Sequence, residues 1–306
     1  MGTPFLWLSF NIFVLAAIAL DLGVFHRRPH RMGTREALLW TCVWVGISAL
    51  FGLGILRFAG EQRGLEFFTG YVIEKALSVD NLFLFLVIFR AFAVDETVQH
   101  RVLEWGVLGA LLARGTMIVV GAELISRFSW VLYLLGGFLV VAGAHMLLAK
   151  RKEMHPERNR LSRFLSKHLR VTRDFRGTGF FVRESGKLFA TPLFVVLLVV
   201  EFTDITLAVD SIPAIFGVTR DAFIVYSSNV FAILGLRAMY FLLAGALGRL
   251  RYLTAGLSFV LMFIGAKMMA EPWLHVSIEV SLSVVAGILL VALAASVFHS
   301  PKPQPN

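Results

Sequence analysis

The sequence predicts an all-α polytopic membrane protein with about nine transmembrane helices. Its 306 residues are 58% hydrophobic and 16% charged, and their mean hydropathy is +0.77. Soluble domains carry roughly 25% charged residues. Nine apolar segments are close to the ~20 residues that a helix needs to cross a bilayer core, and only helices satisfy their own backbone in such segments. The segments cover approximately residues 4–25, 36–57, 67–92, 101–123, 129–149, 189–216, 222–247, 253–270 and 276–298.

The first segment is interpreted as a spanning helix and not as a signal peptide. No basic residue precedes it, and Asp21 lies near its end, where a cleavage site would have to be. If the N-terminus is outside and nine helices alternate, 21 of the 29 Lys and Arg residues lie on the inner side. This asymmetry predicts a cytoplasmic C-terminus. It also accounts for the net charge of +9, so nucleic acid is not expected as a partner.

A long polar stretch, residues 150–187, separates two halves of the chain. With the predicted helices, this gives five parts. We predict two N-terminal helices in 1–65, a first three-helix repeat in 66–149, a basic cytoplasmic loop in 150–188, a second repeat in 189–270 and a C-terminal helix with a tail in 271–306. Apolar residues at helical spacing within the loop favour an amphipathic helix on anionic lipid. The alternative is a solvated linker.

Two polar strings interrupt the third and sixth apolar segments. One runs from Glu74 to Asn81 and the other from Asp204 to Ser211, and each consists of an acid, a Val-Asp pair and a small polar residue at the same spacing. A carboxylate at the centre of a membrane helix costs about 2.5–3.5 kcal/mol. Matched carboxylates in two strings therefore predict a cation site.

The two halves of the chain resemble each other beyond these strings. Arg114 and Arg237 occupy similar positions, and Gly143-Ala144-His145-Met146 is echoed by Gly265-Ala266-Lys267-Met268. Each repeat has three helices, an odd number, so the second repeat must enter the membrane from the opposite side. Inverted repeats of this kind place a transporter's binding site near the bilayer midplane.

Helical spacing limits which side chains can share one ion. Glu74, Ser78 and Asn81 lie on one stripe, whereas Asp80 points about 100° away from Asn81. A second stripe, Glu201, Asp204, Ala208 and Ser211, leaves Asp210 to one side in the same way. Either the two Val-Asp carboxylates face each other across the repeat interface, or the helix opens near Pro213 and adds backbone carbonyls.

We predict Asp80 and Asp210 as direct ligands. The complete predicted metal set is Asp80, Asp210, Glu74, Asn81, Asp204 and Ser211. Additional site or coupling residues are expected at Glu201, Asn229 and Asp21. Four intramembrane bases are expected as charge partners, namely Lys75, Arg114, Arg237 and Lys267. Pairing these four bases with the six intramembrane acids leaves two carboxylates for one divalent ion or two protons.

The donor types predict a hard cation as substrate. Carboxylate, amide and hydroxyl oxygens suit Mg²⁺, Ca²⁺ or Mn²⁺, whereas zinc and copper draw on Cys and His. Cys42 is the only cysteine, and His145 is interpreted as a packing residue. We expect protons as the coupling ion and no resident cofactor, and the sequence leaves the oligomeric state undetermined.

Read in full, the two strings resemble the TerC family of integral membrane proteins. The similarity covers Gly70 to Asn81, Val200 to Ile215 and Ser228 to Leu243. The chain length and the segments Tyr71 to Glu74 and Phe180 to Arg183 are most similar to the Alx-like branch. The resemblance implies a manganese exporter of the bacterial inner membrane within the lysine-exporter superfamily. By motif position it places the acidic site residues at Glu74, Asp80, Asp204 and Asp210.

Two other function classes fit parts of the sequence. The chain could be a membrane scaffold or sensor in stress response or tellurite resistance, with charges that are structural. It could also be an intramembrane aspartyl hydrolase, since paired buried aspartates can activate water. Neither a Gly-x-Ser-x-Gly nor a His-Glu-x-x-His motif occurs in the sequence, so we do not expect an enzyme.

Overall fold

The computed structural model describes a helical protein with one short hairpin. The described residues are 3–25, 33–128, 130–148, 171–172, 175, 177–184, 187–244, 252–271, 273–274 and 276–298. The elements, in chain order, are α1 (Pro4–Phe25), α2 (Thr34–Ala59), α3 (Glu61–Ala91), α4 (Glu96–Arg127), α5 (Val131–Leu148), β1 (Phe181–Glu184), β2 (Lys187–Ala190), α6 (Pro192–Phe216), α7 (Ala222–Ile233), α8 (Leu236–Ala244), α9 (Leu253–Ala270) and α10 (Ile278–Phe298).

A polytopic membrane protein is confirmed, with fewer clear spans than the nine that the sequence predicts. Among the described residues, six helices are long and apolar enough to cross a membrane, namely α2, α4, α5, α6, α9 and α10. The bent pair formed by α7 and α8 brings the number to seven. The apolar part of α1, Pro4–Leu20, is shorter, and α3 carries charged residues along its length.

Among the described residues, the one broken span lies in the seventh predicted helix and not in the sixth. The axes of α7 and α8 differ by 43°, and Gly235 between them has a φ of +82°. A side chain is strained in that left-handed region, and a Cβ at this position would lie 2.8 Å from the Trp44 side chain. Pro213, by contrast, lies inside an unbroken α6. Pro213 is close to the helix end, so few backbone hydrogen bonds are lost there. The structure therefore does not support the alternative in which the helix opens near Pro213.

The polar strings lie on helices that pack against each other at the centre of the fold. Glu66 contacts Thr219, and a Cβ at Gly70 would lie 3.2 Å from Ile215. Residue numbers rise along α3 as they fall along α6, so the two helices are antiparallel. Gly70 also approaches Ser228, and Lys75 reaches Ala232, so α3 and α7 run parallel. Most of α7 is buried among its neighbours.

Small residues allow a close contact between α5 and α9. A Cβ at Gly136 would lie 2.9 Å from the carbonyl oxygen of Gly265, and one at Gly143 would lie 2.7 Å from that of Ser258. Glycine at these positions lets the two backbones approach, which is how membrane helices gain dispersion contacts without a hydrophobic driving force. The rising and falling numbers again show that the pair is antiparallel.

The helix connections gather at two opposite ends of the fold. The α2–α3, α6–α7 and α9–α10 connections line one cavity. At the other end the β1–β2 hairpin, in which Phe181 pairs with Ala190, lies near the start of α4, where Trp105 contacts Phe180 with ring centroids 6.3 Å apart. Most of the predicted basic loop, including its amphipathic helix, lies outside the described residues.

Candidate functional site

A buried ion-pair network joins the two polar strings. Arg114 on α4 donates from Nε to Asp204 Oδ2 at 3.1 Å and from Nη2 to Asp204 Oδ1 at 2.9 Å, and it also pairs with Glu74. Glu74, Arg114 and Asp204 have exposed fractions of 0%, 1% and 4%. Two carboxyl groups thus share one guanidinium, so the network contains one more acidic group than basic groups. An anionic group in a dry environment is an attractive position for a cation.

The stripes expected from helical spacing are buried except at Glu201, which is half-buried. Glu74, Ser78 and Asn81 of α3 and Asp204 and Ser211 of α6 all face the protein interior. Continuing the register from the Glu66–Thr219 and Gly70–Ile215 contacts places Glu74 level with Ser211. The hydroxyl oxygens of Ser78 and Ser211 have no hydrogen-bond partner in the described structure, and neither does Nδ2 of Asn229 on α7. The two hydroxyls add oxygen donors, the type that a hard cation prefers.

Lys75 contacts the broken span. Its Nζ donates to the carbonyl oxygen of Ala232 at 3.1 Å. This carbonyl lies in the last turn of α7, where backbone acceptors lack intrahelical partners and the helix dipole is negative. The ammonium group therefore satisfies the end of the half-helix, and it brings the first polar string against the α7–α8 break.

Arg237 pairs with a carboxylate that was not among the predicted site residues. Its Nη1 donates to Glu104 Oε1 on α4 at 3.3 Å, and the side chains of Arg237 and Glu104 are 6% and 10% exposed. Glu104 lies near the start of the apolar segment predicted over 101–123, so it was not counted among the six intramembrane acids. The surplus of two carboxylates was obtained without it, and that part of the charge count is wrong.

Glu201 lies beside the network on the side of Arg237. It is half-buried, and a Cβ at Gly109 would overlap its carboxylate. A cavity of about 20 Å³ is lined by Glu201, Asp204 and Arg237 together with apolar residues. That volume exceeds the 10–15 Å³ that one water molecule needs, and the lining offers polar partners.

The remaining predicted site residues lie in different parts of the fold or outside its described residues. Asp210 is half-buried on α6, and Lys267 on α9 lines the cavity at the α2–α3 end. The side chains of Asp80 and Asp21 lie outside the described residues. The facing of Asp80 and Asp210 therefore stays a prediction. Within the described residues no three carboxylate, imidazole or thiolate side chains lie close enough to hold a metal ion.

Glu66 is a second buried carboxylate that sequence reasoning missed. Its side chain is 8% exposed, although it lies just before the apolar segment predicted to begin at residue 67. Thr219 donates to Glu66 Oε2 at 2.6 Å, and Gln62 donates to Oε1 at 3.1 Å. The available signal was its spacing, since Glu66, Gly70 and Glu74 follow one another at i, i+4 on one helix face.

The chain is similar to several bacterial membrane proteins over nearly its whole length. It is 49% identical over 300 residues to "Uncharacterized membrane protein STKORF319" of Myxococcus xanthus, which covers 98% of this chain and 94% of that protein. It is 47% identical over 300 residues to "Putative membrane-bound redox modulator Alx" of Escherichia coli K12, which covers 95% and 94%. It is 39% identical over 293 residues to an uncharacterized membrane protein of Rickettsia bellii, and the match covers 96% of this chain and 97% of that protein.

The family comparison agrees with these relatives. No solved structure matches the chain. The model of the integral membrane protein TerC family matches residues 59–304, a range that contains both polar strings, Arg114, Arg237 and the broken span. The resemblance identified from the strings is thereby confirmed, and the chain belongs to the TerC family of integral membrane proteins.

Proposed function

We propose that the chain is a bacterial inner-membrane secondary transporter that exports Mn²⁺ in exchange for protons, with the N-terminus outside and the C-terminus in the cytoplasm. The observation that carries the proposal is the buried Glu74–Arg114–Asp204 network, which joins the two matched strings on antiparallel helices. Charged groups inside membrane proteins are expensive and mark ion pathways. The metal and the direction follow from the family resemblance.

The proposed path requires the cation to compete with Arg114. In the described conformation the guanidinium neutralises part of the charge on Glu74 and Asp204. A divalent ion would attract the same carboxylates, with Asp80, Asp210, Asn81 and Ser211 as the further oxygen donors in the proposal. Replacing a group of charge +1 by an ion of charge +2 would balance the two carboxylates, and this lowers the electrostatic cost of holding the ion in the interior.

The proposed movement uses the predicted inverted repeat. The equivalent helices α3 and α6 are antiparallel neighbours, and so are α5 and α9, as an inverted repeat requires. The α7–α8 break lies beside the site, and discontinuous helices commonly form ion sites in transporters. We propose that one repeat rocks against the other. The proposed topology has nine membrane crossings, and α1 and α3 are two of them.

The proposal is tested by manganese tolerance in a host that lacks its own exporters. The intact chain should restore growth at high Mn²⁺ and lower cellular manganese measured by mass spectrometry. Asp80→Asn and Asp210→Asn should abolish rescue at an unchanged protein level. Glu123→Gln is the matched control, since this carboxylate is exposed and pairs with Arg127 across one helical turn. No rescue by the accumulated wild-type protein would exclude manganese export.

Proton coupling needs its own experiment. Everted vesicles should accumulate Mn²⁺ when the proton gradient is present and lose most of this uptake when an ionophore collapses it. Equal uptake with and without the gradient would exclude coupling, while export itself would still stand.

The name of the Alx relatives suggests redox modulation as a second candidate. This chain contains one cysteine, Cys42, which is exposed on α2. A dithiol–disulfide pair within one chain is therefore impossible. Manganese export could alter cellular redox state indirectly, and a Cys42→Ser variant that retains full function would show that no thiol of this chain takes part.

A further inference from the structure

A cavity of about 720 Å³ opens where the α2–α3, α6–α7 and α9–α10 connections meet, and Glu66 is buried against it. We refer to it as the Glu66 pocket. In the proposed orientation it faces the outside, because these three connections are all outer loops. We infer that the Glu66 pocket is a low-affinity divalent-cation site through which the exported ion leaves the protein. This inference rests on the proposed function.

The first support is the charge of Glu66. Its two described partners, Thr219 and Gln62, are neutral hydrogen-bond donors. No Lys or Arg of the described chain lies within 4.0 Å of its carboxylate oxygens. The buried charge is thus held by hydroxyl and amide groups and has no salt bridge, an arrangement that leaves room for a cation.

The second support is that the other charges of the pocket are largely paired. Arg220 binds Glu271 with both oxygens at 3.0 Å, and Arg63 lies 3.9 Å from Asp221. These pairs are partly exposed at the pocket rim. Glu66 differs from them because it is buried and has no Lys or Arg nitrogen within 4.0 Å in the described chain, so its carboxylate should be the main attraction for a cation inside the pocket.

The third support is continuity with the central network. Glu66, Gly70, Glu74 and Ser78 follow one another at four-residue intervals along a slowly turning row of α3, and all are buried. Glu66 lies eight residues from Glu74, which is about 12 Å along the helix axis. A cation released by Glu74 would therefore meet the carboxylate of Glu66 next along this row, on its way to the cavity.

Lys267 sets the affinity of the pocket. Its side chain also lines the cavity and interacts electrostatically with Glu66 and Glu271. A nearby ammonium group repels a divalent ion and so weakens its binding. Weak binding suits an exit site, since conduction requires that an ion can leave as well as enter. Glu66 and Lys267 should therefore affect cation affinity in opposite directions.

The test is inhibition of export by Mn²⁺ added on the outer side. Right-side-out vesicles are loaded with radioactive Mn²⁺, and initial efflux is measured against the external Mn²⁺ concentration. Glu66→Gln should raise the external inhibition constant by about tenfold or more, equivalent to ~1.4 kcal/mol, while the internal concentration for half-maximal efflux changes by less than about twofold. Lys267→Met should lower the inhibition constant, and Glu123→Gln should leave it unchanged.

Each outcome decides the inference. An unchanged inhibition constant in Glu66→Gln, or an equal change on the inner side, would overturn it while manganese export stands. If Glu66→Gln does not accumulate because Thr219 loses its partner, Lys267→Met decides alone, and an unchanged or raised constant in that variant rejects the exit site. Absence of efflux by the wild type would reject the proposed function and this inference together.

Discussion

Removal of the Arg114 guanidinium should destabilise the protein severely. In Arg114→Met the network loses its one positive charge, and the carboxylates of Glu74 and Asp204 remain in an interior where both are at most 4% exposed. Breaking a buried ion pair by removing one partner costs about 3–5 kcal/mol. At ~1.4 kcal/mol per factor of ten, the ratio of folded to unfolded protein should fall by at least two orders of magnitude.

The assay compares the membrane level and the midpoint of heat-induced aggregation of the purified protein in detergent. Arg127→Met is the matched control, because its pair with Glu123 is exposed and such pairs contribute about 0–1 kcal/mol. The triple variant Arg114→Met, Glu74→Gln, Asp204→Asn removes all three charges and should regain most of the stability, since neutral replacements of buried ion networks are often tolerated. It should still fail to transport Mn²⁺.

Two results would refute this reasoning. If Arg114→Met were as stable as Arg127→Met, the network would not be the dry ion-pair cluster described above. If the triple variant were stable and restored manganese tolerance, these charges would be structural, and the scaffold or sensor interpretation would replace transport.

Three further variants address the break and the flank of the network. Gly235→Ala should lower the free energy of unfolding by about 1–2 kcal/mol, because the residue adopts a left-handed φ and the new methyl group would collide with Trp44. The thermal midpoint of the purified variant measures this loss. Lys75→Met should cost about 1.5–3 kcal/mol through the lost charged hydrogen bond, and Lys75→Arg should recover part of that midpoint. Gly109→Ala should displace the Glu201 carboxylate and lower efflux more than it lowers stability, as vesicle transport and heating would show.

The glycine variants have matched controls on the same helices or their neighbours. A Cβ at Gly54 of α2 or at Gly137 of α5 meets no atom within 4 Å, so alanine at either position should leave both stability and transport near wild type. A loss in these controls equal to that in Gly235→Ala or Gly109→Ala would mean that helix flexibility, and not the specific collision, explains the effect.

The sequence predicted the apolar segments and the two buried stripes well because both depend on local properties. A long apolar run in lipid must be helical, and the spacing of Glu74, Ser78 and Asn81 fixes their common face wherever the helix packs. The resemblance of the strings to the TerC family was likewise contained in the residues themselves. The burial of Glu66 and Glu104 was missed because hydropathy alone places a segment boundary close to each of them.

The sequence by itself determined that this protein is a helical membrane protein of the TerC family and that carboxylates occupy its interior. Only the tertiary structure decided that Arg114 holds Glu74 and Asp204 together, that Arg237 pairs with Glu104, and that the break lies at Gly235. These features depend on the register and approach of helices far apart in sequence. Helical periodicity gives the direction of a side chain around its own axis, whereas the partner that it meets is set by packing between helices.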